Sequence, residues 1–238
     1  MDKAIELDPR DADAYAMRAF IRMNVWDWSG AEEDIQRSLK LRKTSGAVQA
    51  AAKLARARGN LVEAEALLRS VLVTDPLDSY SLGELAFIVY PRLGRFEDSD
   101  RLLAKVRDIN PNNLDINAAQ SLNALSAGKY DLALRLAESE TDPEPREVAL
   151  AVVYTAMGKT LESRQALERL LRLPTALEFD VARVYAYRGE LDLAFQYLER
   201  AFANRSVDLL DLKTEPLLSN VRTDARYRAL LRRMNLPE

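Results

Sequence analysis

The sequence predicts an all-α fold built from consecutive helix–turn–helix repeats, because three kinds of residue recur with one period of about 30 to 35 positions. The residues suited to a tight turn are Trp26, Gly59, Gly94, Gly128, Gly158 and Gly189. Five positions after each turn stands a small residue, namely Ala31, Ala64, Ser99, Ala133, Ser163 and Ala194. Nine positions after it stands an apolar residue, namely Ile35, Leu68, Leu103, Ala137, Leu167 and Leu198.

The second repeat shows how each unit is built. The stretch before Gly59 carries apolar residues at helical spacing, such as Val48 and Ala52. Glycine readily adopts the left-handed backbone conformation that often ends a helix, and a second helix with its own apolar face follows Gly59. The Asp75-Pro76 pair ends the second helix, because a residue before proline avoids the α region. The predicted unit is therefore a helix, a tight turn, a second helix and a short loop.

The same plan predicts six repeats in chain order. They span about residues 12–43, 45–76, 79–111, 114–141, 144–173 and 175–205. The third repeat has one extra residue before its turn and carries Pro91, so we expect a kink or an early helix end there. The proline-containing stretch 140–145 predicts a shortened helix between the fourth and fifth repeats, and it is the best candidate for a bend.

Both ends of the sequence depart from this plan. Residues 1–11 match the tail of a helix whose beginning is absent, so we expect the remnant of an upstream repeat and a fragment of a larger protein. Residues 206–238 contain a leucine-rich connector and then an amphipathic helix over 224–234, with Thr223 as its N-cap. We expect this helix to cap the last repeat, with the connector packed beneath it.

Composition limits the possible functions. The 238 residues include no Cys and no His, which excludes disulfides, metal sites built on those residues and catalysis by a His base. A formal net charge of −3 argues against a dedicated nucleic-acid binder. No uncharged apolar stretch reaches the roughly 20 residues that span a bilayer, and the N-terminus lacks a signal-peptide pattern. We therefore expect a cytoplasmic, non-catalytic protein with no cofactor, metal, nucleic-acid or membrane partner.

Two further features recur with the repeat. A small residue precedes the turn by seven positions at Ala19, Ala52, Ser121, Ala151 and Ala182, and closing prolines stand at Pro9, Pro76 and Pro111. Together with the turns, this pattern resembles the tetratricopeptide repeat, a helix–turn–helix unit of about 34 residues. The resemblance implies a right-handed superhelical solenoid with a C-terminal capping helix. It also implies that the first helix of each pair lines the concave face.

A narrower resemblance involves the first repeat and the C-terminal end. The run from Trp26 to Glu32 and the stretches 194–201 and 224–234 look like repeat regions at the C-terminal end of bacterial signalling proteins. In those proteins the repeats follow a cyclase catalytic domain or a winged-helix DNA-binding domain. The resemblance implies a sensory or interaction region whose output domain lies upstream.

Counting back from each turn gives the side chains that the repeat resemblance places on the concave face. The candidates for a binding groove are Phe20, Lys53, Arg56, Tyr80, Phe87, Tyr90, Leu122, Val152, Phe179 and Arg183. The aromatic and aliphatic members fit an apolar or amphipathic peptide, and the cations fit an acidic side chain or chain end. For any single member, ordinary repeat packing with a solvated cation stays open as the alternative.

The predicted function is a protein–protein interaction module that binds a peptide or protein segment in this groove. The alternative is a self-association module that brings two upstream output domains together, since nothing in the sequence caps the first repeat and Trp26 replaces a glycine. Trp26 itself has two interpretations, a partner-binding anchor or a structural plug. An enzyme is least favoured, because no residue pair has a spacing that demands catalysis.

Overall fold

The computed structural model describes residues 1–110, 115–175 and 177–237, and every regular element in these ranges is helical. Its α-helices are α1 (Asp2–Leu7), α2 (Ala12–Asn24), α3 (Trp28–Leu41), α4 (Ser45–Ala57), α5 (Leu61–Thr74), α6 (Ser79–Gly83), α7 (Tyr90–Arg92), α8 (Phe96–Ile109), α9 (Ile116–Ser126), α10 (Tyr130–Ser139), α11 (Pro143–Ala156), α12 (Thr160–Arg172), α13 (Glu178–Tyr187), α14 (Leu191–Ala203) and α15 (Ala225–Arg233). A π-helical segment, Glu84–Val89, lies between α6 and α7. Two 3₁₀ helices, Val207–Asp211 and Pro216–Val221, precede α15.

The chain forms two compact units. Unit 1 contains the described residues of Met1–Leu85, Val207–Thr214 and the C-terminal segment from Ala225 onward. Unit 2 contains those of Ala86–Ser206 and Glu215–Asp224. In unit 1 the hairpins are α2/α3 and α4/α5, and in unit 2 they include α9/α10, α11/α12 and α13/α14. The predicted all-α array of helical hairpins is therefore confirmed, while the closing Pro111 and the start of the fourth repeat at Leu114 lie outside the described residues.

Polar side-chain caps mark the start of the first helix in both hairpins of unit 1. At the start of α2, the Asp11 carboxylate accepts hydrogen bonds from the backbone N–H groups of Asp13 and Ala14 at 3.0 and 3.1 Å. At the start of α4, the Thr44 hydroxyl accepts from the Ala47 N–H at 3.2 Å. These side chains satisfy N–H groups that have no partner inside the helix, so α2 and α4 each start at a defined residue.

Every predicted turn residue has a positive backbone φ. The five glycines have φ between 71° and 90°, a region that glycine enters without a Cβ clash. Trp26 adopts φ 62°, which costs a residue with a Cβ roughly 1–2 kcal/mol. The Trp26 side chain is buried, so its apolar contacts offset that strain. Trp26 is thus a structural plug and not an exposed anchor.

The extra residue in the third repeat is accommodated by the π-helical segment Glu84–Val89. A π turn contains one residue more than an α turn, so it absorbs the insertion without ending the helical path. Pro91 follows in the short helix α7, where its ring replaces a backbone donor. The irregularity before Gly94 is therefore a widened helical turn, and the helical path does not end early as the sequence suggested.

The predicted shortening near residues 140–145 is also present. Helix α10 has 10 residues, whereas α8 has 14. The buried Glu140 carboxylate accepts the backbone N–H groups of Ala118 at 3.0 Å and Thr141 at 2.7 Å. These bonds hold the chain away from the helical path directly after α10.

Small residues allow the paired helices to approach closely. In unit 2, three serine hydroxyls donate to a carbonyl oxygen of the paired helix, Ser99 to Ala86, Ser121 to Ala133 and Ser163 to Ala151, at 2.6, 2.7 and 2.8 Å. The last two pairs join the positions seven before and five after the turn. Ala86 stands one position further from its turn, because the π-helical segment adds a residue.

Replacing Ala133 by Leu is expected to lower the free energy of unfolding by about 1–3 kcal/mol. Ala133 is completely buried and its carbonyl accepts the Ser121 hydroxyl, so a larger side chain pushes α9 and α10 apart. Ala104→Leu is the matched control, because Ala104 is exposed on α8. Urea unfolding followed by circular dichroism compares the two variants. Equal stabilities would contradict close packing as the reason for the small residue.

The predicted C-terminal helix forms as α15, Ala225–Arg233, close to its expected bounds. Helix α15 belongs to unit 1, where the buried Trp28 Nε1 donates to the Met234 carbonyl at 2.6 Å. The helices of the sixth repeat belong to unit 2, so the capping of the last repeat by this helix stays a prediction. The connector does pack against α15, since the Tyr227 hydroxyl donates to the Leu212 carbonyl at 3.2 Å. A buried indole N–H needs an acceptor, and the end of α15 supplies it.

Candidate functional site

The candidate groove residues divide between the two units. Unit 1 contains Phe20, Lys53, Arg56 and Tyr80. Unit 2 contains Phe87, Tyr90, Leu122, Val152, Phe179 and Arg183. The two sets are therefore two separate candidate sites, each positioned by the helices of its own unit.

The unit 1 site combines two aromatic rings and a lysine, contributed by α2, α4 and α6. The rings of Phe20 and Tyr80 meet edge to face, with centroids 6.4 Å apart and an interplanar angle of 74°. Lys53 Nζ lies 5.3 Å from the Phe20 ring centroid, within cation–π range. Burial and the nearby Arg56 guanidinium lower the pKa of Lys53, and burial with the Glu84 carboxylate raises the pKa of Tyr80. All three side chains are half-buried, so part of this cluster faces solvent.

Arg56 forms ion pairs with carboxylates of its own unit. Its side chain is buried, its Nε lies 3.3 Å from Glu84 Oε2, and its guanidinium also donates to the Asp211 carboxylate. Asp211 ends the first 3₁₀ helix of the connector. The expectation that Arg56 is a cation left for an external acidic group is corrected, because two carboxylates of the same unit already neutralise it.

In unit 2, the candidate residues differ in how accessible they are. Phe87 and Leu122 are half-buried, whereas Tyr90 is buried and stacks with the Arg95 guanidinium, 4.3 Å from its ring centroid. Val152 and Phe179 are 0% and 3% exposed. Their side chains belong to the hairpin core, so repeat packing is the correct interpretation for these two positions.

Arg183 also pairs within its own unit. It binds Glu215 at 3.4 Å and the Asp180 carboxylate one helical turn away. Glu215, directly before the second 3₁₀ helix, binds Arg92 as well at 3.3 Å and accepts the Leu217 N–H at 3.1 Å. Burial alone would lower the pKa of Arg183, but the Asp180 and Glu215 carboxylates raise it above its usual value. The connector therefore supplies the counter-ion that we expected from a ligand.

The connector makes contacts with the first helices that the repeat pattern did not predict. Its first 3₁₀ helix packs on α2 and α4 in unit 1, and its second packs on α13 in unit 2. Its buried apolar residues are Leu209, Leu210, Leu212, Leu217, Leu218 and Val221. The connector therefore covers part of the first helices α2, α4 and α13. One sequence signal could have revealed these contacts, namely the combination of leucines and acidic residues in the connector. Such a segment can bury its leucines on a helix while its carboxylates pair with arginines of that helix.

A further open feature in unit 2 is a cleft of about 520 Å³ between α8, α9 and α10. Its lining combines charged and apolar side chains, among them Arg95, Asp100, Lys129 and Leu132. Among the described residues, no group of three or more acidic side chains is arranged to hold a metal ion. None of the described helices combines the length and apolar character needed to cross a membrane.

Comparison with known proteins places this architecture among helical-repeat folds. The structure superposes on pilF of Pseudomonas aeruginosa, which contains tetratricopeptide repeats, with a TM-score of 0.56 at 16% identity, covering 86% of this chain and 97% of that one. A second similar structure is Naa15/Naa10 bound to HypK-THB, with a TM-score of 0.42 at 17% identity, covering 98% of this chain and 38% of that one. The second score is too low to support a shared fold. No protein-family model matches the sequence, and neither does any curated protein.

The fold class follows from these observations together. The hairpins, the left-handed turns and the likeness to pilF define a tetratricopeptide-like helical-repeat fold. Its first helices carry arginines and aromatic rings. Some of these side chains contact the connector, and others are partly exposed to solvent.

Proposed function

We propose that this chain is a non-catalytic protein-binding module that takes leucine-rich or aromatic segments carrying an acidic side chain. Helical-repeat folds present stacked helices whose exposed side chains suit such segments. The resemblance of the tail to repeat regions of bacterial signalling proteins favours a regulatory partner.

The single observation that carries this proposal is the way each unit holds the chain's own connector. In unit 1, buried leucines lie on α2 and α4 while Asp211 meets Arg56. In unit 2, a second leucine pair lies on α13 while Glu215 meets Arg183. The same combination of apolar burial and a charge-assisted pair is what an external segment of this composition needs.

The binding position proposed for an external segment is the Phe20–Lys53–Tyr80 cluster of unit 1. Burial lowers the pKa of Lys53, and the nearby carboxylates of Glu84, Asp208 and Asp211 offset this only in part. A partly desolvated cation is stabilised when a carboxylate approaches it, and the two rings offer apolar surface beside it. Phe87 and Leu122 offer a second, smaller area in unit 2.

Selection of a random-peptide phage library on the immobilised chain tests this assignment. We expect enriched peptides to combine Leu or aromatic residues with Asp or Glu. Fluorescence anisotropy with an enriched peptide should show at least about tenfold weaker binding to Lys53→Ala and to Phe20→Ala, equivalent to about 1.4 kcal/mol.

Lys40→Ala is the matched control, because Lys40 is exposed on α3 of the same unit. Circular dichroism establishes that each variant keeps its helical content. Binding that weakens equally in the Lys40 and Lys53 variants, or in neither, would refute the assigned position.

A further inference from the structure

The cleft between α8, α9 and α10 in unit 2 lies beside a turn contact that other hairpins of the unit build differently. Each turn closes with the same hydrogen bond, from the backbone N–H directly after the turn glycine to the carbonyl four positions before that glycine. In unit 2 this bond joins Arg95 to Tyr90, Lys129 to Ala124, Lys159 to Tyr154 and Glu190 to Tyr185, at 2.8, 2.8, 2.9 and 2.9 Å. The bond identifies equivalent positions and brings the two side chains at its ends next to each other.

Two of these turns place a cation on an aromatic ring. The Arg95 guanidinium lies 4.3 Å from the centroid of the Tyr90 ring. Lys159 Nζ lies 5.8 Å from the centroid of the Tyr154 ring. Both distances are within the range of about 6 Å at which a cation is attracted to a ring face. The turn therefore produces a cation–π contact where it carries a basic residue after the glycine and a tyrosine before it.

The turn between α9 and α10 keeps the cation but lacks the ring. Lys129 stands at the position of the cation, whereas Ala124 stands where the turns before and after it have a tyrosine. Ala124 and Lys129 both line the cleft of about 520 Å³. An alanine leaves the volume of a ring unfilled, so part of this cleft is the space that a tyrosine occupies in the other two turns.

The other side chains of the cleft suit a ring with one polar end. Asn123, directly before Ala124, stands where the next two hairpins have valine, and it is only 2% exposed. Its Nδ2 donates to the carboxylate of the half-buried Asp100 at 2.8 Å, so this wall is polar and contains an acceptor. Leu132 and Leu136 of α10 supply apolar surface. A tyrosine needs both, because its ring is apolar and its hydroxyl needs a hydrogen-bond partner when buried.

We propose that this cleft binds a tyrosine side chain of a partner protein segment, with the ring beside Lys129 in the place that Ala124 leaves open. The Lys129 ammonium complements the negative face of the ring, and the Asp100 carboxylate accepts the phenol hydroxyl. The cleft is larger than one side chain, so the residues on either side of the tyrosine also have room. The site lies wholly in unit 2 and involves no residue of the Phe20–Lys53–Tyr80 cluster.

Nuclear magnetic resonance titration with two capped tripeptides, Ala-Tyr-Ala and Ala-Leu-Ala, tests the proposal. We expect the tyrosine peptide to bind at least about threefold more tightly and to shift the side-chain amide resonance of Asn123. Lys129→Ala should weaken the binding of the tyrosine peptide about two- to fivefold, because it removes the cation–π contact. Lys159→Ala is the matched control, since Lys159 stands at the same position after the next turn and already lies on the Tyr154 ring.

The variant Ala124→Tyr provides a second readout, because it fills the cleft with the residue that the other two turns carry there. We expect it to keep its helical content by circular dichroism and to bind the tyrosine peptide at least about tenfold more weakly. Equal affinities for the two peptides, unchanged binding to Lys129→Ala, or undiminished binding to Ala124→Tyr would overturn the proposal.

Free tyrosine is the last arm of the experiment. We expect it to bind more weakly than the capped tripeptide, which also places its flanking residues in the cleft. Free tyrosine that binds as tightly as the tripeptide would indicate a small-molecule site and would overturn the assignment to a protein segment. The Lys53→Ala variant should bind the tyrosine peptide normally, so failure of this proposal is distinguishable from failure of the proposed function.

Discussion

The Arg56→Ala variant is expected to lose about 3–5 kcal/mol of unfolding free energy. Arg56 is buried, and its guanidinium neutralises Glu84 and Asp211. Removing it leaves both carboxylates in a partly desolvated site without their main countercharge. Both tryptophans of the chain lie in unit 1, so tryptophan fluorescence in urea follows the unfolding of the affected unit.

The neighbouring Arg58 gives the control for this effect. Arg58 pairs with Glu32 at 2.7 Å, but both side chains are more than a third exposed, so Arg58→Ala should cost at most about 1 kcal/mol. The double variant Arg56→Ala/Asp211→Ala should be more stable than the sum of the single effects predicts. Strictly additive effects would show that the Arg56–Asp211 pair does not hold the connector.

The Glu215→Ala variant is expected to cost about 3–5 kcal/mol in unit 2. The Glu215 carboxylate is buried, binds Arg92 and Arg183, and accepts the Leu217 N–H at the start of the second 3₁₀ helix. Its removal takes a negative charge away from Arg92 and Arg183, and it leaves the Leu217 N–H at the start of the 3₁₀ helix without this acceptor. Circular dichroism in urea measures the loss.

Two further variants separate charge from side-chain length at this position. Glu215→Gln keeps an acceptor for the Leu217 N–H but removes the charge, so its destabilisation should fall between zero and that of Glu215→Ala. Glu138→Ala is the matched control, because Glu138 is exposed on α10. If Glu215→Ala and Glu138→Ala unfold at the same urea concentration, Glu215 does not anchor the connector.

The hairpin architecture was predictable because its signals are local. Glycine at a left-handed turn, a small residue where two helices touch and a proline after a helix each act within a few residues. The Ser121–Ala133 contact, 12 residues apart in sequence, is of this kind. Even the irregular third repeat was visible as one extra residue before Gly94.

The candidate site was only partly predictable. Counting from the turns located Phe20, Lys53 and Tyr80 on neighbouring first helices, where they now form one cluster. The same count could not distinguish them from Val152 and Phe179, which are buried. Burial depends on what covers a helix, and no position along a single repeat encodes the covering segment.

By itself, the sequence determined the helical repeats, their turns and the chemistry of the side chains on the first helices. Only the tertiary structure decided which of those side chains are already engaged. Arg56 and Asp211 are 155 residues apart, and Trp28 and Met234 are 206 apart, so no local periodicity connects them. The connector reaches these partners because its leucines are buried only when it lies on the helices, and that burial brings its carboxylates to the arginines.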